Sequence, residues 1–430
     1  MAQNKKILVV QVAALGWDFV RCNADAARTF DFHSAETVFP AVTCPVQASF
    51  RTASRPRDHG IVSNGVFFGD VKRIAFWEQS AALVAGPRIW QQARAAGKRV
   101  GMMFWQQSLG EGVDLLLSPK PVHKHHGGML QDCYTQPPDL YDRLQASVGR
   151  PFNLMHYWGP LASRRSSDWI VAATNAVMSN PSIAPDLLIS YMPHLDYDLQ
   201  RHGPESRKAQ TALAVAMDHL EQLRTTAERS GYDYFFYGDY NIEPVTGEPV
   251  FPNRVLREAG LFKVRHVKGM AYPDFFASTG FSLVDHQVAH VFLSEESALQ
   301  EARRVFTGLP GIADVLDWRA QTAAGLDTTR SGELVLVAEK GSWFAYPWWE
   351  QAAESPDYAG HVDIHNKPGY DPCELFFGWP PPNVSRDPTR IRGTHGRVGE
   401  GCEIAWTSSL EFDEQPRGIV KLAQQLKRKL

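Results

Sequence analysis

A threonine held between two prolines opens the chemistry of this chain: Phe39-Pro40-Ala41-Val42-Thr43-Cys44-Pro45-Val46-Gln47 is followed by Asp58-His59-Gly60-Ile61-Val62-Ser63-Asn64. Pro45 suits the first turn of a helix, which sets the Thr43 hydroxyl at a helix N-terminus among free backbone N–H groups that favour a phosphate. A threonine there also reads as a plain N-cap. Four further segments carry acids and histidines: residues 194–202, with Asp196, Gln200 and His202; Asp239-Tyr240-Asn241; Asp363-Ile364-His365; and Gly393-Thr394-His395-Gly396. Read as extended chain, Asp363 and His365 share one face and both reach a metal or a phosphate; a polar loop held by Asp–Lys pairs is the plainer alternative.

Together these residues carry a family resemblance. Thr43 flanked by Pro40 and Pro45, then His59-Gly60-Ile61 and Asn64, resembles the nucleophile region of the type I phosphodiesterase/nucleotide pyrophosphatases, a branch of the alkaline phosphatase superfamily. The resemblance implies that Thr43 attacks phosphorus and that Asn64 helps hold a phosphate oxygen, with His59 and Gly60 shaping the turn. Residues 191–204 are similar to the segment in which an aspartate and a histidine four residues later bind one metal ion ahead of Gly-Pro. Asp196 matches the aspartate, Gln200 stands in the histidine's place, and His194 and His202 are the neighbours able to compensate. Asp239-Tyr240 falls where the family has an Asp-His pair on a second metal, and Gly393-Thr394-His395-Gly396 resembles the turn that supplies the last histidine of the first. Residues 361–372 resemble a block from a bacterial and archaeal subgroup. The family also places a metal-binding aspartate just after the first strand, where this chain reads Val12-Ala13-Ala14-Leu15-Gly16 and the nearest acid is Asp18.

The expectation is a metal-dependent phosphoric ester hydrolase of the phosphodiesterase or nucleotide pyrophosphatase type, acting on a small phosphate ester or nucleotide-like substrate. Oxygen and nitrogen donors without thiolate suggest zinc, one or two ions, with manganese or iron as alternatives. The implied metal set is Thr43, Asp196, Gln200, Asp239, Tyr240 and His395, with Asp363 and His365 able to complete a site. Thr43 would attack with its hydroxyl activated by metal, water would release the threonine phosphoester, and Asn64 and the helix N-terminus would hold the developing charge. The departures at Gln200, Tyr240 and Ala14/Leu15 support two alternatives. One is a metal-poor member that binds a phosphorylated ligand without hydrolysing it; the other is a related hydrolase acting on phosphonates or sulfate esters.

The elements that must position these residues are legible as a pattern. Short apolar runs at residues 7–13, 100–105, 187–192, 234–237 and 403–406 alternate with helical segments at 87–96, 166–178 and 207–230, which predicts a doubly wound, mostly parallel α/β sheet. With the resemblance, this implies an alkaline-phosphatase-like core. Ligands in such sheets bind beyond the carboxyl ends of the strands, where the segments after 187–192 and 234–237 fall. Residues 252–349 change texture, reading as strand, helix and strand at 288–294, 295–307 and 332–339. They are expected to form an inserted α+β cap between core segments 1–251 and 350–430. Phe67, Phe68, Phe76 and Trp77 read as core packing, or as a pocket that stacks a base or an apolar leaving group.

Composition narrows the partners. With 44 Lys+Arg against 47 Asp+Glu and a formal net charge of −3, no basic excess draws the chain to nucleic acid or an anionic membrane. Five dispersed cysteines without a Cys-x-x-Cys pair argue for a reducing compartment, and the first apolar run reads as a buried strand rather than a signal peptide. A cytoplasmic location is expected.

Overall fold

The computed structural model describes residues 6–126, 128–412 and 414–430. Its centre is the strand Lys6–Val12, whose residues from Ile7 onward are buried on both faces, as a strand sandwiched between helix layers must be. It pairs in parallel with Leu187–Met192 on one side and Tyr232–Gly238 on the other, and the register sets Val12 opposite both Met192 and Gly238. The three strands therefore end at one level. The residues that follow them, Ala13 to Leu15, Pro193 and Asp239, emerge together at that edge. Val100–Met103 and Leu115–Ser118 extend the parallel set to five, and Tyr134–Gln136 closes that side antiparallel. On the other side Ile404–Ser408 and His33–Ala35 complete an eight-stranded sheet.

Two sequence expectations are corrected here. The run at 403–406 forms a strand, but antiparallel to Tyr232–Gly238. The helix expected over 87–96 shrinks to Gln91–Ala95, because the Gly86-Pro87 approach stays irregular. Helices Arg165–Ser179 and Arg207–Arg229 form close to their predicted bounds. In the second, Ala209, Ala212, Leu213, Ala216, Leu220, Leu223 and Ala227 recur at three- and four-residue spacing and bury one face against its neighbours, while Ser206 caps it through the Ala209 N–H at 3.1 Å.

A second sheet of four antiparallel strands runs in the order Gly280–Asp285, Val288–Leu293, Leu334–Ala338, Ile312–Leu316, with helix Glu296–Phe306 packed through Ala298, Ala302 and Phe306. It has its own apolar cluster, which also draws in Phe76, Ala359 and Tyr370. All five cysteines are unpaired, and no helix among the described residues is long and apolar enough to cross a membrane.

Buried neutral histidines set an acid limit on this fold. Burial holds His59 and His194 at pKa values of about 3 and His290 at about 4, with Arg51 adding to the effect at His59 and His219 at His194. A depressed folded-state pKa stabilises the protein above the unfolded histidine value and loses that contribution as pH falls. The unfolding free energy measured by denaturant titration is therefore expected to drop below about pH 6.5, by up to about 1.4 kcal/mol per pH unit for each histidine. His290→Gln should reduce that slope, and a stability flat down to about pH 4 would contradict the assignment.

Candidate active site

Thr43 is the first residue of helix Thr43–Thr52, and the N-cap is Val42, whose backbone is extended. The N-cap reading of Thr43 is thus removed: its side chain makes no capping bond and lines the same cavity as the Tyr240 phenol. The helix is anchored from behind by Arg51, fully buried, which donates to the backbone carbonyls of Gln106 and Gln107 and pairs with Glu111 at 3.6 Å. Gln47 Oε1 accepts the Gln106 N–H at 2.8 Å, so the helix start is tied to the loop after Val100–Met103.

The first acid comes from helix His194–His202, which starts directly after Leu187–Met192. Asp196 lies in its first turn, and Gln200, four residues on, shares its face and donates to Asp196 Oδ2 at 2.6 Å. Tyr240 donates to Asp196 Oδ1 at 3.1 Å, and Tyr370 donates to Gln200 Oε1 at 2.9 Å. The second acid, Asp239, ends the strand Tyr232–Gly238. A Cβ on Gly238 would sit 2.1 Å from the Leu15 carbonyl, so only glycine lets the loop after the first strand come this close. That approach lets the Ala14 N–H reach Asp239 Oδ1 at 3.0 Å, while Gln11 Nε2 donates to Oδ2 at 3.0 Å. Burial pushes the Asp196 carboxyl up to about 6, with His286, Gln200 and Tyr240 opposing. Burial takes Asp239 to about 8 against the donors at Ala14 and Gln11.

His395 Nδ1 donates to the Ala41 carbonyl at 2.8 Å, two residues before Thr43, and its ring lies flat on Tyr240 with centroids 3.4 Å apart. Its other face meets His286 at 3.8 Å. His286 and its neighbour Asp285 were not legible as site residues in the sequence. Asp285 ends the strand Gly280–Asp285, and His286 opens the two-residue turn His286-Gln287 that leads to Val288–Leu293; there it takes φ = +62°, a turn position at which glycine is the usual occupant. His286 Nδ1 donates to Asp285 Oδ1 at 2.7 Å, Tyr370 stacks on its ring at 3.7 Å, and Nε2 is buried without a protein partner. Asp285 also accepts from the Ser63 hydroxyl, the Asn64 N–H and Asn64 Nδ2. Burial pushes its carboxyl up, but the hydrogen bond and charge of His286, with Asn64 and Ser63, outweigh that and hold it below the usual range.

Thr43, Asp196, Gln200, Tyr240, His286 and Tyr370 face one cavity of about 480 Å³, walled by Trp77, Tyr157, Trp158, Tyr191 and Tyr197. Lys120, exposed, is its one lysine, and no arginine lines it among the described residues.

The sequence matches the profile described as type I phosphodiesterase/nucleotide pyrophosphatase over residues 26–371. The chain belongs to that family. No curated protein matches the sequence closely. Among solved structures, phosphonoacetate hydrolase from Sinorhizobium meliloti 1021, in complex with phosphonoformate, is similar at 15% identity and TM-score 0.65, covering 99% of this chain and 96% of that one. Murine ectonucleotide pyrophosphatase/phosphodiesterase 5 is similar at 14% identity and TM-score 0.63, covering 99% and 94%. At these identities the likeness establishes a shared α/β fold.

Against the ligand pattern the resemblance implies for the phosphodiesterase family, Asp196 and Gln200 reach the cavity, and Asp239 and His395 lie buried behind Tyr240. Asn64 lies behind the helix start, its Oδ1 accepting the Cys44 N–H at 2.9 Å, and it does not line the cavity. Asp363 and His365 line it, but from a turn, so the extended alternation expected of them is absent. Asp363 accepts from Asn366, and His365 donates to the Phe76 carbonyl at 3.1 Å. His194 bonds the Ala212 carbonyl, His202 does not line the cavity, and Asp18 pairs with Arg21 at the surface, so none compensates for the altered positions. Of the four aromatics, Trp77 lines the cavity, while Phe67 and Phe76 pack in the second apolar cluster. Among the described residues no three His, Cys, Asp or Glu side chains converge as a metal site. The two-metal set does not fit: Gln200 and Tyr240 present hydrogen-bond donors to Asp196 where the family would present imidazoles to a cation.

Lys367 holds the wall that carries Asp363, His365 and Tyr370. It is buried and pairs at 2.7 Å with both Asp371 and Glu374, and Glu374 also accepts the Asp363 N–H and the Trp158 indole. Lys367→Met strands two buried carboxylates and is expected to lower unfolding free energy by about 3–5 kcal/mol, read by denaturant titration; a loss under about 1 kcal/mol would refute this role.

Proposed function

We propose that this chain is a phosphoric ester hydrolase with Thr43 as nucleophile, acting on a small, singly charged ester such as a diester with an apolar or aromatic group. One observation carries the reading: a threonine side chain at the start of a ten-residue helix, free of capping, that lines one cavity with the Tyr240 phenol. Family membership supports the reaction class, and the aromatic walls suit a base or another flat group. A cavity in which Lys120 is the one lysine or arginine among the described residues favours one negative charge over two. We read residues 252–349 as a cap set into a core of residues 1–251 and 350–430, which delivers the His286 hairpin to Thr43. The unpaired cysteines support a cytoplasmic location.

In this reading Thr43 Oγ bonds to phosphorus as its proton passes to Tyr240 and the Tyr240 proton moves to Asp196 Oδ1. The bond to the leaving oxygen breaks, and that oxygen takes a proton from solvent. The helix N-terminus supplies partial positive charge for the phosphoryl oxygens. In the second half, His286 Nε2, oriented through Nδ1 by Asp285, takes a proton from the water that attacks the threonine phosphoester and later releases it to solvent. Asp196 returns its proton through Tyr240 to Thr43.

The test is a panel of phosphodiesters, pyrophosphates, monoesters, phosphonates and sulfate esters. Thr43→Ala should lower kcat on the accepted substrate by on the order of 10⁶-fold and abolish a trapped phosphothreonine. His286→Gln should cost about 10²–10⁴-fold, most of it in release of the phosphoenzyme. The second reading, a protein that binds a phosphorylated ligand without cleaving it, is favoured by the three altered ligand positions. No turnover on the panel, with nucleoside monophosphate binding unchanged in Thr43→Ala, would establish it.

A further inference from the structure

The acids that a cation would bind already have partners. A carboxylate holds a divalent ion by giving up oxygen lone pairs, and here each of the four oxygens of Asp196 and Asp239 accepts a donor: Tyr240 Oη–H, Gln200 Nε2–H, the Ala14 N–H and Gln11 Nε2–H, at 3.1, 2.6, 3.0 and 3.0 Å. The Gln200 carbonyl oxygen is of the kind that ligates a cation, but its amide is oriented the other way. Tyr370 donates to Oε1 at 2.9 Å, so the NH₂ end is the one that faces Asp196. Tyr240 covers the face of His395 in a parallel stack at 3.4 Å, and its hydroxyl is committed to Asp196. Ala14 reaches Asp239 with its backbone in a left-handed conformation, φ = +59°, putting an N–H where the resemblance expects a carboxylate.

We infer that the Thr43 site excludes divalent cations, and that Tyr240, Gln200 and Ala14 form a hydrogen-bonded network which takes over the two acids a metal pair would use. The network runs from Tyr370 through Gln200 and Asp196 to Tyr240, which lines the cavity with Thr43. A cation entering it must displace two donors from Asp196 and would then face N–H and O–H hydrogens. In the resting site Tyr240 fixes the Asp196 carboxylate through its hydroxyl. The inference goes beyond the proposed function and stands apart from it, because metal content is read on resting protein whatever its activity.

The experiment is equilibrium dialysis of the full chain, first stripped with chelator, against Zn²⁺ and separately Mn²⁺, followed by elemental analysis and thermal melts. The wild type should take up neither ion saturably and should melt at the same temperature with and without it. The triple variant Ala14→Asp, Gln200→His, Tyr240→His restores acceptors at the three positions. It should bind metal and melt higher as the ion concentration rises, by mass action. One saturable equivalent in the wild type that disappears in Asp196→Asn would overturn the inference, and this arm needs no fold from the triple variant. A folded triple variant, verified by circular dichroism, that still took up no ion would overturn the assignment of the exclusion to these three residues.

Discussion

The Asp285 carboxylate is the joint on which the site depends. It is buried at the tip of a hairpin from the smaller sheet and accepts from Ser63, twice from Asn64 and from His286. Asn64 in turn accepts the Cys44 N–H, so a single carboxylate couples the start of the Thr43 helix to the imidazole of His286. Burying a charge is costly unless it is fully bonded, and the four donors meet that cost while fixing the relative position of two elements from different sheets. The left-handed backbone at His286 fits the same logic, since a strained turn persists where its surroundings over-determine it.

Around this joint the site is assembled from chain ends. The register of Lys6–Val12 with Leu187–Met192 and Tyr232–Gly238 brings Ala14, Asp196 and Asp239 to one edge. The turn of Gly393–Thr394 is pressed against helix His194–His202, where a Cβ on Gly393 would lie 2.3 Å from the Leu199 carbonyl, and this seats His395 beneath Tyr240. The hairpin is latched to the same turn, for the Gln287 N–H donates to the His395 carbonyl at 2.9 Å. The polar groups are therefore pre-organised by packing of backbone on backbone, which costs no reorganisation when a ligand enters.

The carboxylates of Asp196 and Asp239 show how one scaffold can satisfy buried acids in more than one way. A cation and a set of hydrogen-bond donors are alternative partners for the same oxygens. An amide and a phenol in place of the imidazoles the resemblance implies move the balance toward donors, and the phenol ring stacks flat on His395.

Much was legible in the residues alone. Apolar runs buried on both faces fixed the parallel sheet, because a strand covered by helices on two sides must be apolar throughout. Thr43 ahead of Pro45, and the aspartates just past two of those runs, marked the edge where the candidate site lies, since ligands gather at strand carboxyl ends. The antiparallel sense of Ile404–Ser408 was not readable, because a short apolar strand carries no sign of its direction. Nor were Asp285 and His286, which end an apolar strand and open its turn, positions that give no chemical signal until the second sheet is folded against Asn64. The sequence by itself determined which positions differ from the ligand pattern the resemblance implies, at Ala14/Leu15, Gln200 and Tyr240. Only the tertiary structure decided what they do instead, because whether an amide presents its oxygen or its nitrogen to Asp196 depends on Tyr370, 170 residues away along the chain.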